Sequence, residues 1–148
     1  QKRVFGMIPA LKNAEFLRYG VMHKNTFINA PEVLDSDYSL RDNGKIFFAG
    51  QITGVEGYVE SAGSGLLAGI YLERKLNGKK DVRIPTTTVL GALANYLTIK
   101  TDNFQPMNAN FGILPSPMGI WKDKKLKKKT QAEISLKAVE DFKKEILL

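Results

Sequence analysis

The segment Gly50-Gln51-Ile52-Thr53-Gly54-Val55-Glu56-Gly57-Tyr58 carries the clearest chemical potential in the chain. It follows a short apolar run and leads into a helical pattern, so it forms a turn between a strand and a helix. A helix N-terminus at such a turn offers free backbone N–H groups and a partial positive charge to an anion or an electron-rich ring edge. A nucleotide cofactor suits that place. The spacing Gly50-x-x-x-Gly54-x-x-Gly57 matches neither the dinucleotide fingerprint nor the lysine-bearing phosphate loop. A tight turn with close helix packing accounts for it equally well. Glu56 and Glu60 sit near the first helical turn, where complementing the dipole is a simpler role than paired acid and base.

A second candidate is the run Lys122, Lys124, Lys125, Lys127, Lys128 and Lys129 beside Trp121. Lysines of this density can contact phosphates, and the indole can stack on a base. The same run also suits a solvated linker before the last helix. From residue 122 onward there are nine lysines against five carboxylates, so this tail supplies four of the net seven positive charges. That surplus attracts polyanions without choosing among them. No cysteine is present, which excludes disulfides, thiolate zinc sites and a thiol nucleophile within these residues. His23, the one histidine, reads as a satisfied, partly buried side chain, and no metal site is expected.

The 148 residues suffice for one domain with a hydrophobic core. No apolar run reaches the roughly 20 residues of a membrane-spanning helix, and a cytoplasmic location is expected. The chain opens at Gln1 on structured-looking sequence, as a piece of something longer would. Alternation over Glu15–Met22 predicts a strand, and Thr26-Phe27-Ile28 a second one. The polar stretch Asp35–Asn43 predicts a loop. Lys45-Ile46-Phe47-Phe48-Ala49-Gly50 has the continuous apolar character of a strand covered on both faces.

Val59, Ala62, Leu66 and Ile70 define the apolar face of a helix over about Tyr58–Leu76, closed by Asn77-Gly78. Gly63, Gly65 and Gly69 together cost that helix roughly 3 kcal/mol, so something is expected to approach it closely. Another helix opens at Pro85-Thr86, with Val89, Leu93 and Tyr96 on one face and Leu90 and Leu97 beside it. The proline- and asparagine-rich residues 102–117 predict an ordered loop. Thr130-Gln131-Ala132-Glu133 has the form of a capping box opening a C-terminal helix, with Ile134, Ala138, Phe142 and Ile146 facing the core.

Three stretches carry a resemblance: Phe47 to Ala62, Ala14 to Asn29, and Phe104-Gln105-Pro106-Met107-Asn108-Ala109-Asn110-Phe111-Gly112. In their order along the chain they are similar to stretches of the bacterial methylenetetrahydrofolate-tRNA-(uracil-5-)-methyltransferase family, folate- and FAD-dependent enzymes related to glucose-inhibited division protein A. The resemblance implies an α/β fragment: the C-terminal part of a glutathione-reductase-like FAD-binding fold with a helical C-terminal extension. Residues 1–44 would end an inserted domain and return to the FAD domain. Residues 45–84 would supply its closing strand, glycine-rich turn and helix, and residues 85–148 the extension.

Gly50, Gln51, Ile52, Gly54, Gly57 and Tyr58 would lie against the flavin, with Tyr58 beside the isoalloxazine or folate and Gly63 and Gly65 permitting close packing beneath. FAD, methylenetetrahydrofolate and a nicotinamide reductant, NAD(P)H, would be the cofactors. The partners would be tRNA and the missing N-terminal part of the same enzyme, which would also bring the catalytic groups, none of which is expected here. A stand-alone basic RNA-binding module, and a fragment of the sister flavoprotein that modifies the wobble uridine, are the alternative readings.

Overall fold

A computed structural model describes residues 2–17 and 25–147, so His23 and most of the expected first strand lie outside the described residues. The fold is helical. A short α1 (Lys2–Phe5) and a 3-10 turn at Pro9–Leu11 precede α2 (Ala30–Val33). A second 3-10 turn, Gly50–Thr53, leads into the long α3 (Tyr58–Leu76), followed by α4 (Val89–Tyr96) and α5 (Lys124–Ile146).

The expected strands are not formed among the described residues. Residues 15–17, 26–28 and 45–49 have no ladder, and pairing is confined to isolated bridges: Leu34 with Leu40, Ser39 with Phe47, and Val55 with Met107. Sequence period can favour extended backbone, but a sheet also needs neighbouring chains in register. Around Phe47 the backbone finds only single contacts. Leu40 N–H donates to Ile46 O at 2.8 Å, and Phe48 N–H to Tyr38 O at 2.9 Å. Phe47 and Phe48 are half-buried and Ile46 is 43% exposed, short of the two-sided cover expected of them.

Helix α3 spans the expected residues but buries another face. Ser64, Leu67, Ala68, Tyr71 and Arg74 point inward, at spacings of three and four, while Val59 and Leu66 are 82% and 66% exposed. Apolar residues line both sides of this helix, so periodicity alone does not select the buried one. Leu93, Ala94 and Leu97 of the α4 region meet Leu67 and Tyr71 in a core that also takes in Leu34, Val55, Phe104 and Phe142. Gly63 has the close approach expected of it, because a methyl there would lie 2.8 Å from the methyls of Leu90. Gly65 and Gly69 face open space.

Helix α4 starts later than Pro85. The Pro85 carbonyl accepts from both Thr88 N–H and Thr88 Oγ1, and Thr88 then caps the helix by accepting from Gly91 N–H at 3.0 Å. Helix α5 starts earlier than Thr130, with Asp123 as N-cap accepting from Lys125 and Leu126 N–H. Thr130 is therefore mid-helix rather than a cap. Phe142 is buried, Ala138 and Ile146 are partly so, and Ile134 is 40% exposed.

Two buried polar side chains organise this core. Arg74 donates from Nε to Lys80 O and from Nη1 to Ile146 O, each at 3.0 Å, tying α3 to the following strap and the end of α5. Tyr38 has a left-handed backbone at φ 69°, and among the described residues its fully buried hydroxyl has no hydrogen-bond partner.

Burial first, and then the neighbouring Tyr71 phenol, raises the proton affinity of Tyr38. The folded chain thus holds this proton more tightly than the unfolded chain, whose tyrosines titrate near 10. The associated stability is intact below about pH 10 and falls above it. We expect Tyr38→Phe to leave stability at pH 8 unchanged or raised by about 1 kcal/mol, since it deletes an unpartnered polar group, and to reduce the alkaline fall. Urea midpoints of both proteins at pH 8 and 10.5 check this; a variant less stable at pH 8 with an unchanged alkaline fall contradicts it.

Candidate functional site

The bend at Gly50–Thr53 is fastened on three sides. Behind it, Gly50 N–H donates to Ser64 Oγ at 2.7 Å, and that hydroxyl donates onward to Ser61 O at 2.8 Å. Ser64 is 1% exposed, so these bonds form away from water. Inside the turn, Thr53 Oγ1 donates to Gly50 O at 2.7 Å and Gly54 N–H to Gln51 O at 3.0 Å. On the N-terminal side, Ile28 N–H donates to Ile52 O at 2.9 Å. The loop from Phe104 closes the third side: Met107 N–H donates to Gly54 O, and Glu56 N–H to Met107 O, both at 2.8 Å.

Glycine is required where the bend meets its neighbours. Gly54 has φ 92°, and a methyl on it would lie 2.6 Å from the Phe104 ring. Gly57, the N-cap of α3, has φ 98°, and the space a methyl would fill holds the Glu60 carboxylate. Glu60 Oε1 in turn accepts from Ala109 N–H at 3.1 Å. The inner side of the bend is therefore packed. Its outer side opens on a cleft of about 680 Å³ lined by Gln51, Glu56, Gly57 and Tyr58 together with Asn25 and Asn108.

The six residues singled out from sequence fall together in this bend and divide by direction. Gln51, Gly57 and Tyr58 line the cleft, and Tyr58 is 97% exposed. Ile52 is 37% exposed, whereas Gly50 is turned toward α3 and Gly54 toward Phe104. Gly63 packs on Leu90 of α4 and Gly65 on nothing, so neither lies against the cleft. Sequence reasoning missed Glu60 as a wall of the cleft and Ser64 as the anchor behind it, whereas Asn25 and Asn108, which also line the cleft, fall within stretches that carry the resemblance.

An open cleft of this size beside a first helical turn, with an aromatic ring on one wall, fits the edge of a planar cofactor. Glu60 sets a constraint on that fit, because its carboxylate at the helix start disfavours a phosphate there. Among the described residues no group of three or more histidine, aspartate or glutamate side chains is arranged to hold a metal ion.

The lysine run is helical instead of forming a linker. Lys124, Lys125, Lys127, Lys128 and Lys129 occupy the first two turns of α5, and Lys122 precedes its cap. Lys128 Nζ lies 5.5 Å from the centre of the Phe111 ring. Phe111 is three residues beyond Asn108, so the loop that borders the cleft also meets the lysine helix.

The family model for glucose inhibited division protein A matches residues 1–80, more than half the sequence. The chain belongs to this family. Within the family it is similar to proteins named methylenetetrahydrofolate–tRNA-(uracil-5-)-methyltransferase TrmFO. It is 57% identical over 143 residues to that of Natranaerobius thermophilus, covering 96% of this chain and 33% of the relative. It is 51% identical to that of Brevibacillus brevis, covering 98% and 33%, and 53% identical to that of Staphylococcus aureus strain Newman, covering 97% and 34%. The chain thus spans about one third of the length of these relatives.

Gly54→Ala places a methyl against the Phe104 ring on a left-handed backbone, and we expect it to cost about 2–3 kcal/mol. Adding Phe104→Leu should recover the steric part alone. Chemical denaturation of both variants checks this, and a loss below about 0.5 kcal/mol for Gly54→Ala contradicts it.

Proposed function

We propose that the chain is the C-terminal third or so of a flavin-dependent tRNA methyltransferase, which makes 5-methyluridine in the T loop from methylenetetrahydrofolate and reduced FAD. The observation that carries this reading is the Gly50–Gly57 bend, packed behind by Ser64, Phe104 and Glu60 and open in front to a cleft walled by Tyr58. The names of the relatives, 51–57% identical, supply the reaction and favour it over modification of a wobble uridine.

In this reading residues 45–84 close a glutathione-reductase-like FAD domain, residues 1–44 return to it from an inserted domain, and residues 85–148 form a helical extension. Two features of the fold support it. The extended backbone around Phe47 lacks ladder neighbours, and the outward face of α3 leaves Val59, Leu66 and Leu76 exposed. A larger sheet and its flanking domain would supply both partners. The chain alone is then inactive, because the rest of the cofactor site and the catalytic groups come from the remainder of the enzyme.

Gln51 and Ile52 would present backbone to the flavin edge, and Tyr58 would stand against its ring or the folate. The first-turn amides of α3 would favour negative charge at the reduced ring, and the Glu60 carboxylate at the same helix start would offset part of that. Bound reduced FAD supplies the two electrons that take the folate's methylene carbon to a methyl group, and NAD(P)H restores it. The lysines of α5, one short loop away, would hold tRNA phosphates, in the cytoplasm where tRNA is modified. Among the described residues no helix is long and apolar enough to cross a membrane.

A second reading, a stand-alone basic RNA-binding module, is favoured by the lysine helix itself. One experiment separates the two. The chain joined to the rest of its enzyme should take up FAD and transfer labelled carbon from methylenetetrahydrofolate to uridine in tRNA. Tyr58→Ala should lower that rate by at least tenfold without weakening tRNA binding. Absence of flavin uptake and transfer, with tRNA binding retained by the isolated chain, contradicts the first reading and selects the second.

A further inference from the structure

We propose that the turn Pro117–Trp121 is an apolar wedge that packs against unpaired RNA bases while the lysines of α5 hold the neighbouring phosphates. The inference rests on the tRNA-modifying reading above and adds to it a means of selecting unstacked RNA.

Met118 and Ile120 are 98% and 95% exposed, at a turn that is itself held in shape. Trp121 Nε1–H donates to Pro117 O at 2.9 Å across the turn, and between the two exposed side chains Gly119 adopts φ 108° with open space around it. A turn closed in this way has less freedom to lose on binding than a loose loop. It runs directly into Lys122 and α5.

The lysines that follow are placed against the rules of helix stability. Five of them fill the first two turns of α5, where the helix dipole is already positive, and no acidic residue lies in the first turn. Lys124 and Lys128, and Lys125 and Lys129, are like charges four residues apart, a further cost. Among the described residues only Lys129 of the six pairs with a carboxylate, Glu133 at 3.9 Å. The result is a concentrated positive field immediately beside two exposed apolar side chains.

That combination selects the occupant. Protein interfaces are poor in lysine at their centres, so a surface covered by the rest of the enzyme is better matched by the outward face of α3 than by this tip. A polyanion that also presents flat apolar faces is RNA with unpaired bases. A duplex offers the phosphates but hides the base faces. Chemistry at uracil C5 requires the base to leave its stack, and an apolar side chain filling the vacated space stabilises the open form.

The test uses the full-length enzyme, a short RNA hairpin carrying 2-aminopurine in its loop, and a blunt RNA duplex of equal length. Met118→Ser with Ile120→Ser should weaken hairpin binding about tenfold, reduce the 2-aminopurine fluorescence gain and leave duplex affinity and salt dependence unchanged. Lys124→Gln, Lys125→Gln and Lys128→Gln together should weaken both RNAs and flatten the salt slope by about two. The proposal is overturned if the serine variant keeps the hairpin preference. It is equally overturned if that variant loses only binding to phosphatidylserine vesicles, which would make the tip a membrane contact. Neither RNA assay requires folate or methyl transfer. A hairpin preference that depends on Met118 and Ile120 in a protein without transferase activity would therefore support the wedge while removing the methyltransferase reading.

Discussion

A single buried hydroxyl, Ser64 Oγ, couples the glycine bend to the helix behind it. It accepts from Gly50 N–H and donates to Ser61 O, so one side chain satisfies a turn amide and a helix carbonyl at once. With Ser64 1% exposed, water cannot replace either bond, and loss of the hydroxyl would leave Gly50 N–H without an acceptor. The hydroxyl acts with the bonds from Thr53, Ile28 and Met107 that fasten the same bend. Its bond to Gly50 holds Gln51 beside Gly57 and Tyr58 at the start of α3, and the Met107 bonds fix the loop that carries Asn108, which also lines the cleft.

The same loop joins the two parts of the surface to which chemistry can be assigned. Ala109 N–H meets Glu60 at the cleft, and Phe111 lies beneath Lys128 of α5. A polyanion seated on the lysines would thus lie against the same loop that borders the cleft. The fold accepts unfavourable helix electrostatics at the start of α5 to produce this arrangement.

Much of this was legible in the residues, unevenly. The ends of α3 were read correctly because Gly57 and Asn77-Gly78 are strong local signals. Its buried face was not, since Val59, Ala62, Leu66 and Ile70 compete with Leu67, Ala68 and Tyr71 and only the tertiary partner, α4, decides. The start of α5 was placed too late because lysines in a first turn oppose the usual charge rule; Asp123 was the overlooked signal. The segment around Phe47 has strand-like composition, but composition cannot supply the adjacent strands that make a sheet. In the site, the glycines were visible because positive φ limits which residues can stand there. Glu60 is legible as a first-turn carboxylate but not as a partner of Ala109, and Ser64 is not legible at all, because these contacts join a helix to a bend and to a loop about fifty residues further along the chain.

On the proposed function, the bend held by Ser64 forms a wall of the flavin site. Ser64→Ala in the full-length enzyme tests it most directly, with Gly50 amide exchange and FAD affinity measured on the same sample. Faster exchange at Gly50 is expected together with FAD binding weakened about tenfold, while the helices of the protein stay folded. Faster exchange at Gly50 with FAD affinity unchanged would contradict it, since the bend would then have loosened without the flavin registering the change.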